Sequence, residues 1–408
     1  MKIILIGGKT LMSLFDDSFD TKIGGKKSSM FAYMENNQEE DTDVEDVDLS
    51  EEEEKVETEA ALADLNRNSI SSYTFSPALE ACDEEMEYLC MEHVNVLATM
   101  ETVDAQACEA YNNASSESEQ QAVVEGFKES VSKYWERFKA FCIKIKNLIV
   151  RTVQRVIGYL KTLFTRIAAK VVAKLRGKDA KKMAKKVGDA NPSRYVSKVA
   201  VYKELLDADT MDKALKFVDD QNTTYNNSVI LNQAKAAIEA AKAETGKLDE
   251  YRDSVENNME ERFKTKSELV ELAVGSDDPE EIEVTSYHSK IQQFVTDLTK
   301  AKIPKSVEST KKSILKSIET IEKMATKSKS ISSKRMSLLT YIMNEAVQQT
   351  NALLAAIQQV CVMWLQARIK VVNKFYNATE EREEEEPENE SYIPSTKSSS
   401  VMDFYLSL

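Results

Sequence analysis

The sequence predicts an all-α fold: an elongated bundle of long helices with disordered acidic N- and C-terminal tails. The chain has only 10 glycines and 6 prolines in 408 residues, too few turn formers for a β-rich or doubly wound fold. Apolar residues recur at three- and four-residue spacing over several long segments, as they do on one face of a helix. We therefore expect a small number of long helices with short connections.

Composition and periodicity divide the chain into five predicted regions. They are a disordered acidic N-terminal region (residues 1–65), a helical region with a long basic amphipathic helix (66–190), a helical arm (191–275), a C-terminal helical bundle (276–378) and an acidic tether with an apolar end peptide (379–408). Gly7-Gly8-Lys9 is what a purine-rich ribosome-binding sequence would encode if it were translated. We therefore expect natural translation to start at Met12.

The negative charge of the chain is concentrated in two tracts. Residues 35–59 hold fourteen acids and one lysine, and residues 379–390 hold eight glutamates and one arginine. Removing these net charges of −13 and −7 from the overall −15 leaves the remaining residues at +5. Both tracts have too little apolar surface to offset the entropy of ordering, so we expect them to be disordered and the body to be mildly basic.

The first predicted helix starts after Ser76, a suitable N-cap, with Pro77 at the first helical position. Its apolar residues recur mostly at three and four residues. They are Leu79, Met86, Leu89, Cys90, Val94, Leu97, Met100, Val103 and Ala107. The polar segment 112–119 predicts a turn after this helix.

The second predicted helix, over residues 127–175, is long, basic and amphipathic. Its apolar residues keep helical spacing for about thirteen turns, and the complementary positions are basic. Residues 126–186 contain eighteen lysines and arginines against three acids. This segment is therefore the strongest candidate for a functional surface.

Three interpretations of the basic helix compete. Its apolar stripe packs inside a bundle while the lysines stay in water, or it lies on an anionic membrane surface, or it binds nucleic acid non-specifically through phosphate. The residues of the candidate membrane or nucleic-acid face are Lys133, Trp135, Arg137, Phe138, Lys144, Arg151, Arg155 and Lys170. Since so long a stripe would be hard to keep in solution uncovered, we expect Trp135 and Phe138 to be packed.

Further helices are expected downstream. The predicted segments are 192–206, 210–218, 227–274, 286–301, 305–327 and 333–377. The segment 227–274 is rich in Ala, Glu and Lys with thin apolar content, which favours an exposed arm or a surface-packed helix. The last segment has the apolar share of a core helix.

No catalytic, cofactor-binding or metal site is predicted, and no small-molecule substrate. The five cysteines form no CxxC pair and fit reduced, packed thiols. Only His93 and His288 offer imidazole, and neither has a metal-ligand spacing around it. No acid, base and nucleophile can be assembled, so we expect a protein that is not an enzyme. No 18 consecutive residues are apolar, so no transmembrane span is expected.

The C-terminus ends in an apolar aromatic peptide behind the acidic tether. Its candidate docking residues are Met402, Phe404, Tyr405, Leu406 and Leu408. An apolar peptide on a flexible linker is typical of a docking segment, and a frayed terminus is the alternative.

The layout resembles the internal virion structural proteins of large tailed bacteriophages of Gram-positive hosts. The resemblance covers about residues 80–376 and rests on local features. They are the start Met12-Ser13-Leu14-Phe15-Asp16-Asp17, the helix around Glu84-Glu85-Met86-Glu87-Tyr88, the basic stretch 131–139 running into Ile143-Lys144-Ile145-Lys146, and the long C-terminal helix. The acidic N-terminal tract departs from that pattern, which leaves open its removal on maturation or a scaffolding role.

The resemblance implies a non-enzymatic, multi-copy structural component of a phage particle, located in the capsid interior and in the host cytoplasm before assembly. Its expected partners are other virion proteins or further copies of itself, with packaged DNA and an anionic membrane surface as candidates. The alternatives are a membrane-active amphipathic helical protein and a non-specific DNA-organising or scaffolding protein.

Overall fold

The computed structural model describes residues 5–6, 9–10, 52, 55–56, 77–175, 198–240, 255, 257, 263–275, 278–327 and 333–385. About 89% of this part of the chain is helical, so the predicted all-α class is confirmed. The chain separates into two compact units, Met1–Glu45 and Asp46–Leu408. In the first unit the structure describes only strands β1 (Leu5–Ile6) and β2 (Lys9–Thr10), which pair antiparallel.

Two long helices open the second unit. Helix α1 spans Pro77–Asn113 and helix α2 spans Glu117–Leu175, joined by a short turn within the predicted turn segment. The turn is fixed by local hydrogen bonds: the Glu119 amide donates to Ser116 Oγ, and the Ser115 amide donates to Glu119 Oε2. Such reciprocal capping satisfies amide groups that a helix start leaves without partners. Helix α2 therefore starts ten residues before the predicted position 127.

The last helix, α10 (Ser333–Glu385), lies at the centre of the packing. Nearly every described side chain from Met336 to Phe375 is buried, on all sides of the helix. A helix that is buried on all sides belongs in a core, as the high apolar share of this segment predicts. Its backbone stays helical to Glu385, so the segment predicted as an acidic tether from residue 379 begins inside this helix.

Other helices surround α10. Helices α8 (Ile291–Lys300) and α9 (Lys305–Lys327) pack on both α2 and α10. Helix α9 coincides with the predicted segment 305–327. A 3₁₀ helix, Val284–Lys290, leads into α8, in place of the first turn of the predicted helix 286–301.

The segment predicted as helix 192–206 contains a strand. Strand β3 (Lys198–Val201) pairs antiparallel with β4 (Glu280–Glu283), with Val199 opposite Ile282. The β-branched residues of β3 fit a pleated surface once a partner strand is present. That partner lies about eighty residues away in the chain, so periodicity within the segment could not show it.

Short helices follow β3. They are α3 (Lys203–Asp207), α4 (Met211–Ala214), α5 (Lys216–Asn222), a π-helix (Thr223–Ile230) and α6 (Leu231–Ala240). The predicted helix 210–218 is therefore interrupted at Leu215, which separates α4 from α5.

The predicted continuous helix 227–274 is also interrupted. Residues 263–265 are not helical, and helix α7 spans Lys266–Val274 with Thr265 and Glu268 forming a capping box. Gly275 ends α7 at a φ of 70°, a left-handed conformation that favours glycine. Leu269, Val270 and Val274 are buried, and α7 packs on α10. This described part of the predicted arm therefore packs on the core helix.

Candidate functional site on the long basic helix

Helix α2 buries its apolar stripe against α1 and against α8, α9 and α10. The buried side chains of the stripe include Phe138, Phe141, Ile145, Leu148, Ile149, Val153, Val156, Leu160, Leu163 and Ile167. These residues recur at helical spacing, as the sequence predicts. The face named as apolar is therefore covered by other helices of the same chain.

The aromatic residues of the candidate face lie in an aromatic cluster between α1 and α2. Phe138 is fully buried, and its ring centroid lies 5.3 Å from that of Trp135, which is half-buried. The imidazole of His93 stacks on Phe141 at 4.3 Å with an angle of 5° between the rings. Phe138 therefore belongs to the core rather than to a membrane or nucleic-acid face, whereas Trp135 retains part of its surface.

Several cations of α2 are paired with acids of neighbouring helices. Arg151 bonds Glu85 of α1, and Lys144 Nζ lies 2.9 Å from Glu92 Oε2. On another side of α2, Lys146 Nζ lies 3.2 Å from Glu322 Oε2 of α9. These contacts neutralise part of the charge that the sequence assigns to a binding surface.

The spacing of these ion pairs is a signal that sequence reasoning missed. Glu85 and Glu92 are seven residues apart in α1, and Lys144 and Arg151 are seven residues apart in α2. Seven residues are nearly two full turns, so each pair lies on one side of its helix. Two antiparallel helices joined by a short turn can then match both acids with both cations.

The remaining candidate residues differ in exposure. Lys133 and Arg137 are exposed, and Arg155 is half-buried. The side chain of Lys170 lies outside the described residues. Two other cations, Lys161 and Arg166, are exposed near the C-terminal end of α2 and were not among the candidates. The exposed positive charge of α2 therefore includes groups at both ends of its basic part.

A buried arginine lies outside the predicted site. Arg368 of α10 is fully buried, donates from Nη1 and Nη2 to the carbonyl oxygens of Leu205 and Ala208, and places Nε 3.3 Å from Asp297 Oδ2. Burial lowers the pKa of Arg368 to about 10, and the carboxylate of Asp297 acts in the opposite direction. The guanidinium thus joins α10 to α8 and to the end of α3, where helix carbonyls need donors.

The buried thiols and the buried imidazole of His93 are neutral at ordinary pH. Burial raises the pKa of the Cys82 thiol to about 11 and that of Cys90 to about 12, and it raises the pKa of Cys142 and Cys361 further. All four thiols are free and buried. Burial also lowers the pKa of His93 to about 4. In the part of the chain that the structure describes, no group of three or more His, Cys, Asp or Glu side chains is arranged to hold a metal ion.

The candidate docking peptide, residues 402–408, lies outside the described residues, as does most of the acidic tract 35–59. One described helical stretch, Met336–Phe375, is long and apolar enough to cross a membrane by length and composition. Its apolar window is entirely buried inside the fold, as the core helix of a folded domain would be. Comparison of the chain with family models, with curated proteins and with solved structures finds no match.

Proposed function

We propose that this protein is a non-enzymatic structural component of a phage particle, present in many copies inside the head. It acts as a bundle of long helices. Its partners are neighbouring copies of itself or other virion proteins. The resemblance of residues 80–376 to internal virion proteins supports a place in a phage particle. The packing of the long helix α2 against other helices supports a structural role.

The structural role is supported by one observation: helix α2 packs on and pairs with neighbouring helices. Its apolar stripe is buried by other helices, and Lys144, Lys146 and Arg151 each pair with an acid of a neighbouring helix. A helix committed to packing on several sides stabilises a rigid unit, which is what an assembled particle requires of a repeated component.

A second candidate function is non-specific binding of packaged DNA. The exposed cations Lys133, Arg137, Lys161 and Arg166 favour it, because phosphate neutralisation needs only accessible positive charge. Charge reversal at Lys133 and Arg137 should then weaken DNA binding and flatten its salt dependence. The fold should be unaffected.

The membrane-active alternative has less support. Phe138, one of its proposed lipid contacts, is in the core, and the membrane-length stretch of α10 is enclosed by protein. Lipid binding would require both to leave the fold, which exposes a large apolar surface to water.

Mass spectrometry of purified particles and of emptied heads tests the proposal. We expect the protein in intact particles at a copy number well above that of a single-vertex component, and we expect it within the nuclease-protected interior. A chain found in infected cells but missing from purified particles would show that the structural proposal is wrong. Depletion from emptied heads would show that it leaves with the DNA.

A further inference from the structure

The end of the helical hairpin formed by α1 and α2 is thinly covered. We call residues 101–133 the hairpin tip. Among the described side chains, Met100 is the last buried one of α1 and Tyr134 is the first buried one of α2. At 1.5 Å per residue the tip is roughly 20 Å long in α1 and 25 Å in α2. The described side chains of the tip therefore cover only part of each other.

Apolar side chains of the tip remain accessible. Val103, Ala107 and Val123 are half-buried, while Tyr111 and Val124 are 43% and 37% exposed. Accessible apolar surface bordered by polar residues is typical of a contact surface for a partner.

The charge of the tip defines the chemistry of that partner. The tip, residues 101–133, contains seven carboxylates and the two lysines Lys128 and Lys133, so its net charge is −5. Glu109, Glu117 and Glu125 are exposed, and none of them is paired with a cation among the described residues. The carboxylate of Glu119 accepts a hydrogen bond from the Ser115 amide in the turn. The tip should therefore attract a basic surface.

The charges of other segments of the chain determine which of them can bind this tip. The acidic tracts 35–59 and 379–390 have the same sign and would be repelled. The basic part of α2 has the opposite sign, but Lys161 follows Glu125 by 36 residues on one helix. That separation is roughly 54 Å. Lys161 and Arg166 can thus reach the tip only from another molecule, whereas Lys128 and Lys133 of α2 lie within the tip itself.

The complementary charge lies at the C-terminal end of α2. Lys161 and Arg166 are exposed and have no carboxylate partner among the described residues, in contrast to Lys144 and Arg151. We propose that the hairpin tip of one copy docks on this end of α2 in a second copy. Glu109, Glu117 and Glu125 then face Lys161 and Arg166.

Such a contact uses two different surfaces, so each copy can engage two neighbours. The inference rests on the proposed multi-copy role, and it identifies the partner as the same chain. The two claims fail separately. Absence from particles would overturn the function alone, and failed self-association would overturn the docking alone.

A charge-swap experiment on the full chain tests the docking. The tip variant carries Glu109→Lys, Glu117→Lys and Glu125→Lys, and the end variant carries Lys161→Glu and Arg166→Glu. By sedimentation at low ionic strength, we expect wild-type protein to self-associate and each variant alone to dissociate at least about tenfold more readily, because like charges then face each other. Mixing the two variants, or combining all five changes in one chain, should restore association.

Control variants change the same kinds of charge elsewhere. Glu84→Lys with Glu87→Lys on α1, and Lys312→Glu with Lys316→Glu on α9, alter exposed residues outside the two surfaces and should associate as wild type does. Circular dichroism checks that each variant is folded. Monomeric wild-type protein, or folded tip and end variants whose mixture stays dissociated, would overturn the proposal. An end variant that self-associates as wild type does and loses only DNA binding would also overturn the proposal.

Discussion

The guanidinium of Arg368 lies over the ring of Trp364, one helical turn earlier in α10, with Cζ 3.9 Å from the ring centroid. On another side Cζ lies 5.1 Å from the centroid of Phe294 in α8. The cation is thus close to two aromatic rings, while its nitrogen atoms bond Asp297 and two backbone carbonyls. Protein groups in suitable positions, rather than water, therefore interact with this buried charge.

Replacing Arg368 by Met should therefore lower the free energy of unfolding by about 3–5 kcal/mol, since it leaves Asp297 buried without its cation. Urea denaturation measures the change. Adding Asp297→Asn should recover part of the loss, because the neutral amide removes the unpaired charge. Arg166→Met, at an exposed position, is the control and should stay within about 0.5 kcal/mol of wild type. A loss for Arg368→Met as small as the control's would contradict this account.

His93 predicts a pH dependence of stability. Its folded pKa of about 4 lies below the usual value of 6.5 because the ring is buried. Between these values the unfolded chain binds a proton that the folded chain does not, so stability falls as pH drops from about 6.5 to about 4. The full effect is about 3 kcal/mol.

Thermal melts of wild type and His93→Gln across that pH range measure this effect as a difference, which cancels the contribution of the carboxylates. The two curves should converge as the pH falls. His288→Gln changes an exposed histidine and is the control for losing an imidazole as such. Parallel curves for wild type and His93→Gln would rule out His93 as the source.

The aromatic cluster predicts unequal losses at neighbouring positions. Phe138→Ala should lower stability by about 3–5 kcal/mol, because it leaves a cavity in the core. Trp135→Ala should lower stability by less, since its ring is half-buried. Melting temperature measures both, and binding to anionic vesicles is assayed in parallel. Vesicle binding lost in Trp135→Ala without a change in melting temperature would favour the membrane interpretation instead.

The two ion pairs between α1 and α2 should differ in strength. The side chains of Arg151 and Glu85 are 23% and 12% exposed, while those of Lys144 and Glu92 are about half exposed. Glu92→Gln should lower stability by at most about 1 kcal/mol and lose its effect in high salt. Glu85→Gln should lower it by about 1.5–3 kcal/mol and be less sensitive to salt. Equal losses with equal salt dependence would show that burial does not separate them.

Replacing glycine by alanine should lower stability at one position and raise it at another. Gly275 has a φ of 70°, so Gly275→Ala should lower stability by about 1–2 kcal/mol although its new Cβ would meet only ordinary contacts. Gly126 lies inside α2 with nothing near its Cβ position, so Gly126→Ala should raise stability by about 0.5–1 kcal/mol. Chemical denaturation of both variants provides the measurement. A stabilising Gly275→Ala would contradict the role of the left-handed cap.

Periodicity predicted the long elements well because each carries its own signal. The stripe from Met336 to Phe375 identifies a core helix without any knowledge of its neighbours, and Ser76-Pro77 marks the start of α1. It failed where the signal is not local. Val199 is in a strand only because Ile282 is opposite it. The polar residues 117–126 are helical although they lack a stripe.

The candidate surface shows the same division. Composition gave α2 its cations and its aromatic residues, but the contacts decided their roles. Arg151 is paired with Glu85, and the ring centroid of Phe138 lies 5.7 Å from that of His93, because α1 and α2 pack against each other. Lys161 and Arg166, which were not candidates, are left exposed by the same packing.

The sequence by itself determined the helical class, the position of the long helices and the separation of charge along the chain, because helix spacing and composition are local properties. Only the tertiary structure decided which charges of α2 are neutralised, which remain exposed, and that Arg368 is buried. Those outcomes depend on side chains far apart in the chain, whose distances are fixed when α1, α2 and α10 pack together. No pattern within one segment contains that information.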